Sequence, residues 1–197
     1  MTGRADRPND TTGAPADGPA GTGESGRRAE RKARFATWEA AFVRWKAVAS
    51  RYALLPLRLF LGITFVYAGL DKLTDASFLA DTGSGSIGET MRGVRDISAI
   101  PGLVDLALKD PSAFGYAISF GELAVGIGTL LGLYARVAAL GGALISLSLW
   151  LTVSWQVSPY YLGNDLVYLM AWLPLLLAGA SVLSLDTFLA DRRRRIR

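Results

Sequence analysis

Three ionisable side chains lie in or against apolar runs of this chain. Arg58 sits within LLPLRLFLGITFVYAGL, Lys72 follows two residues after it, and Glu122 interrupts FGYAISFGELAVGIGTLLGLY. A charge at bilayer depth costs at least ~2.5 kcal/mol on insertion scales, so such residues normally face a bundle interior and mark a site or a partner. The 197 residues include no His and no Cys, which removes imidazole acid-base chemistry, thiols, disulfides and the usual axial ligands of haem, copper and zinc. No metal or haem is therefore expected on this chain, and any redox centre must come with a ligand or a partner.

Spacing arranges these residues on faces. Arg58, Gly62, Phe65, Gly69 and Lys72 recur at steps of four and three, as do Ser119, Glu122, Gly126 and Thr129. The glycines on both faces permit close approach, and the two faces are expected to meet. Two readings of Glu122 stand side by side. In one it forms a structural ion pair with Arg58, which lies about two turns nearer one membrane face. In the other it carries a proton for, or accepts a hydrogen bond from, a bound quinol. A second polar cluster falls where the runs end: Asp71, Lys72 and Asp75, then Trp155 and Gln156, then Tyr160, Tyr161, Asn164 and Asp165. Asp165, Tyr168 and Trp172 share one helix face and, with Asn164 and Lys72, are candidates to line a headgroup pocket; a plain Lys72–Asp165 pair and an interfacial aromatic belt are the alternatives. No phosphate loop, metal-ligand spacing or nucleophile elbow occurs.

The elements that must position these residues are helical and membrane-embedded. Four apolar stretches, Leu54–Leu70, Phe114–Tyr134, Val137–Trp155 and Leu166–Leu185, are each near the length of a span, and Pro174 should kink the last. The expected fold is an all-α integral membrane protein, a four-helix up-down transmembrane bundle over residues 52–186. Its outer loop covers about 74–112, where Ile87, Met91 and Val94 suggest a short helix that either lies on the outer surface or packs against the top of the bundle. Residues 1–30, rich in Gly, Ala, Pro, Asp, Thr and Arg, read as a disordered leader. Over 31–51, Phe35, Trp38, Phe42 and Trp45 fall at i, i+3, i+7 and i+10 among Lys and Arg, which predicts a basic amphipathic helix at the membrane surface. Residues 187–197 form a basic tail.

Charge gives the orientation. The N-terminal flank, Arg136 and the run Arg192–Arg195 carry the bases, which places both termini in the cytoplasm of a plasma-membrane protein. The outer segment carries seven acids against four bases, with Lys72, Arg92 and Arg95 the bases that could build an anion site there. The net charge of +4 is thus topological, and no nucleic-acid partner is expected.

The strings LRLFLGITFVYAGLDKL, GELAVGIGTLLGLYARVAAL and NDLVYLMAWLPLLL resemble the DoxX family of small four-span bacterial membrane proteins. In particular they resemble its DoxD-like members, named as subunits of a thiosulfate:quinone oxidoreductase. The resemblance covers about Leu54 to Leu185. It implies a bacterial plasma-membrane subunit working with quinone and with other membrane or peripheral subunits. Arg58, Lys72, Glu122, Asn164 and Asp165 stand at the polar positions that recur in the family. Two functions follow as expectations: a subunit of a quinone-linked redox system binding a quinone headgroup or small oxyanion, or a non-catalytic anchor or accessory subunit of a respiratory or oxidoreductase complex.

Overall fold

The computed structural model describes residues 22–180 and 182–196. The described residues form helices and connecting turns, with no strand among them, and fall in two units that divide between Ala47 and Val48.

The first unit holds most of α1, Thr22–Tyr52. Residues 1–21 of the expected leader lie outside the described residues, but residues 22–30 are helix, so α1 begins nine residues before the boundary read from composition. The sequence contains the reason: Glu24 stands three and four positions before Arg27 and Arg28, a spacing that supports a helix even in a polar stretch.

In the second unit, α2 (Leu55–Thr74), α5 (Pro111–Leu131), α6 (Ala135–Thr152) and α7 (Asn164–Ala178) pack in a ring. Between α2 and α5 come α3 (Ile87–Val94) and α4 (Pro101–Ala107); α8 (Leu185–Ile196) follows α7. Proline at the first turn starts α2, α4 and α5, where its missing donor costs nothing. Gly132, at φ 62°, ends α5 and lets the chain reverse directly into α6. At the other end of α2, the Asp75 carboxylate accepts from the backbone N–H and hydroxyl of Ser77, which holds its pKa below the ordinary value and stops the helix.

The bundle is apolar on its outer surface and encloses polar groups within an apolar core. Leu59, Phe60, Ile63, Tyr67 and Leu70 of α2, Leu140 and Leu144 of α6 and Val167, Met170 and Leu177 of α7 are exposed, while Arg58, Ser119, Glu122, Thr129 and Ser146 are buried. Water would penalise such a surface, and lipid accepts it. Three helical stretches are long and apolar enough to cross a membrane: one within Arg34–Thr74, then Pro111–Leu131 and Ala135–Thr152. The apolar core is carried by Leu61, Phe65, Ala139, Ala143, Trp172 and Leu175.

The fourth apolar run behaves differently from its expectation. Hydropathy predicts one apolar span over Leu166–Leu185, but α7 stops at Ala178, where Gly179 takes φ 71°. Ser184 donates to the carbonyl of Gly132, and the Asp186 carboxylate accepts from the N–H groups of Tyr134 and Ala135 at the start of α6. The expected tail 187–197 lies largely within α8, which has Asp186 in its first turn and its arginines toward the end, an order that suits the helix dipole.

The segment between α2 and α5 is structured. α3 arises where expected, with Ile87 and Met91 buried against Val104 and Ala107 of α4 and packed by Phe78, Phe114 and Val153. It is a lid on one end of α5 and α6 rather than a surface float.

Candidate functional site

The α2–α5 contact builds the site. A methyl group added at Gly126 would lie 2.6 Å from the backbone nitrogen of Val66 and 2.9 Å from the Gly62 carbonyl, so the backbones touch there. The two predicted faces therefore meet. Antiparallel packing then fixes what the longer side chains can reach. Each helical side chain leans toward its own N-terminus. Lys72, near the end of α2, leans back into the bundle; Glu122, in the middle of α5, leans out toward Lys72. They meet at 2.6 Å, Nζ to Oε2. The Lys72 side chain is 25% exposed and that of Glu122 5%, so the pair reaches from solvent depth to a buried carboxylate.

Arg58 is elsewhere. Its guanidinium donates to the carbonyls of Val182 (2.7 Å), Leu183 (2.6 Å) and Leu130 (3.0 Å), at the opposite end of the bundle. The Arg58–Glu122 pair that spacing allowed is not formed. Arg58 instead gathers the last turn of α5 and the α7–α8 connection, where carbonyls lack helical partners and the dipole favours a cation. These bonds hold that end of the bundle together, and they keep Arg58 apart from Lys72 and Glu122.

From α7, Asp165 joins the pair. Its carboxylate accepts from the hydroxyl of Ser154, just past α6, and lies within Coulombic range of both Lys72 and Glu122. The other residues expected to line a headgroup pocket separate. Asn164 is exposed. Trp172 is fully buried in the core, edge-on to Phe65 at 4.9 Å, and a methyl at Gly142 would collide with its ring at 2.2 Å. Tyr168 stacks with Phe60 at 6.2 Å. The two aromatics stand one and two turns beyond Asp165 on α7 and pack with Phe60 and Phe65 of α2.

The expected anion site does not assemble either. Arg95 forks onto Asp105 across α3 and α4 at 2.5 and 3.4 Å, and Arg92 donates to the Asp81 carbonyl. Ser154 is the site residue that sequence reasoning missed. Its signal was its place at the end of one apolar run, opposite the start of the next across a ten-residue connection.

The chemistry open to Lys72, Glu122, Asp165 and Ser154 is hydrogen bonding and proton exchange. Lys72 commits one of its three donors, Glu122 one oxygen and Asp165 one oxygen among the described residues. Donors and acceptors remain for a polar group, in a setting where an unmet partner is costly.

Fold and site together define a small helical membrane protein with a half-buried cluster of charged side chains. A family model described as DoxX matches residues 53–155, more than half of the chain, and the protein belongs to that family. The match takes in Arg58, Lys72, Glu122 and Ser154 and ends before Asn164, Asp165, Tyr168 and Trp172. No curated protein and no solved structure matches the chain.

Proposed function

We propose that this DoxX protein is an integral plasma-membrane subunit of a quinone-linked redox system, with the Lys72–Glu122–Asp165 cluster receiving the quinone headgroup. One observation supports this above others: a buried carboxylate held by a single ammonium, with donors and acceptors to spare on both. A quinone carbonyl accepts from an ammonium, and a quinol hydroxyl donates to a carboxylate, so the cluster suits both forms of the ring. When bound, the quinone supplies the electron carrier that a chain without His or Cys lacks. Lys72 orients the headgroup, Glu122 holds or releases a proton at Oε1, and the partly exposed Lys72 and Asp165 connect that proton to the surface. Two acids against one base disfavour a small oxyanion such as thiosulfate here.

The same proposal includes four crossings with α7 as the fourth, an α1 that rides at the membrane surface, and both termini in the cytoplasm. Basic residues flanking the apolar runs support that orientation. A DoxD-like role with soluble or membrane partners supplying electrons is the finer form of the reading.

The test is purification in mild detergent followed by quantification of extractable quinones. Near-stoichiometric quinone that is lost in Glu122→Gln, with the variant still folded, is the expected result. Quinone content unchanged in Glu122→Gln refutes the site, and co-purifying oxidoreductase subunits without quinone would make the chain an anchor.

A further inference from the structure

α1 carries a pattern that the redox reading does not use. Phe35, Trp38, Phe42 and Trp45 are 62–73% exposed along one stripe of the helix, with Phe42 and Trp45 stacked at 6.0 Å. Four large aromatics left bare on one helix require a cover. Continuing that stripe toward the N-terminus, Arg31 and Arg34 stand at i and i+3 to Phe35 and Trp38 at i+4 and i+7. These four side chains line a cleft of about 250 Å³, room for several waters' volume of polar group. Along this stripe the polarity is graded, with Arg31 and Arg34 first and Phe42 and Trp45 last, while Lys32, Arg44 and Lys46 lie off it.

That order matches one partner. A phospholipid presents a phosphate at the surface and apolar matter beneath it, and indole and phenyl rings favour the boundary between them. Guanidinium groups bind phosphate oxygens as forks. We propose that Arg31, Arg34, Phe35 and Trp38 form a seat for the phosphate of an anionic phospholipid, with Phe42 and Trp45 sunk in the same leaflet. The charge supports a lipid surface over an apolar protein groove: over 31–46 the chain has five bases, Arg31, Lys32, Arg34, Arg44 and Lys46, against one acid, Glu39. The inference rests on the reading that α1 rides at the membrane surface and is independent of quinone binding, so either can fail alone.

The experiment uses the full chain in proteoliposomes and measures quenching of tryptophan emission by brominated phosphatidylglycerol or brominated phosphatidylcholine. A Trp38→Phe/Trp45→Phe variant isolates the contribution of α1 from that of Trp150, Trp155 and Trp172. The α1 part is expected to be quenched by both lipids and at lower mole fraction by phosphatidylglycerol. Each base near an anionic surface is worth roughly fivefold in affinity, so Arg31→Gln/Arg34→Gln should reduce the preference by roughly 25-fold. Arg44→Gln, on the opposite face of the helix, should cost less than about fivefold. Four results overturn the proposal: equal quenching by the two lipids, no quenching of Trp38 and Trp45, a loss in Arg44→Gln as large as in the double variant, or a preference erased by millimolar inorganic phosphate. The second would assign the stripe to a protein partner, and the last would make the seat one for free anions.

Discussion

At the scale of single residues, the Lys72–Glu122 pair separates structural from ligand-binding roles. Removing one partner strands the other charge inside the bundle, which in buried pairs costs about 3–5 kcal/mol; with Lys72 a quarter exposed, the lower end applies. Lys72→Met and Glu122→Gln should each lower the unfolding temperature in detergent, and the double variant should recover most of the loss. A double variant no more stable than either single one would deny that the two groups depend on each other. The Asp75 carboxyl gives a pH prediction at the same scale. Its pKa is depressed in the folded protein by Ser77, so its contribution is present above the ordinary carboxylate range and lost as pH falls through the folded value. Ser77→Ala should move the Asp75 titration, followed by carboxyl NMR, upward toward its ordinary position. The participants in the site were legible as residue types: a Lys, a Glu and an Asp at the ends and middles of apolar runs. Their pairing was not, because helical spacing offers Arg58 and Lys72 equally to Glu122. Only the antiparallel lean of the two side chains, with the register fixed at Gly126, selects Lys72.

Between elements, two contacts hold the geometry. Gly126 lets α2 and α5 touch backbone to backbone, and no flexible side chain can yield to an added methyl there. Gly126→Ala should therefore push the helices apart, with a cost of about 1–3 kcal/mol as for other overpacked positions. Because the same separation sets the Lys72–Glu122 distance, this variant should also lose whatever ligand the pair binds; normal stability and normal binding together would deny the close contact. Arg58 holds the other end. Its three bonds to carbonyls are charge-assisted, and Arg58→Met should cost at least about 3 kcal/mol, with Arg58→Lys restoring part of it. If Arg58 instead served the ligand site, Arg58→Lys would keep stability and abolish binding. This clamp also explains why α7 could not be measured from hydropathy. The run through Leu185 is apolar throughout, yet its last residues spend their carbonyls on Arg58, 124 and 125 positions away, rather than on the helix. Gly179 was the local sign of the break. α4 escaped notice for a similar reason: it is seven residues long, and its sign was Pro101 followed by Val104 and Ala107 at helical spacing.

For the whole molecule, the open quantity is the number of crossings. At 15 residues, α7 is about 22 Å long, short of the ~30 Å hydrocarbon core that α5 nearly matches. A short helix crosses only if the bilayer thins locally or flanking residues carry the path outward, each at a modest cost per ångström. The apolar outward face of α7, Val167, Met170 and Leu177, and its packing against α2 and α6 favour that arrangement, since withdrawing α7 would expose Trp172 and Asp165 together. Parity makes the question measurable. An even number of crossings returns the C-terminal helix to the side of α1, and an odd number puts it opposite. The chain has no cysteine, so single thiols can be added without removing any. Glu39→Cys in α1, Gly93→Cys in α3 and Asp191→Cys in α8 replace exposed residues. With four crossings, an impermeant thiol reagent applied to intact cells should label Gly93→Cys alone, and the other two only after permeabilisation. Labelling of Asp191→Cys together with Gly93→Cys in intact cells would mean three crossings. It would leave α7 lying in the interface, with Asp165 brought to Lys72 and Glu122 from the surface rather than from within the bilayer.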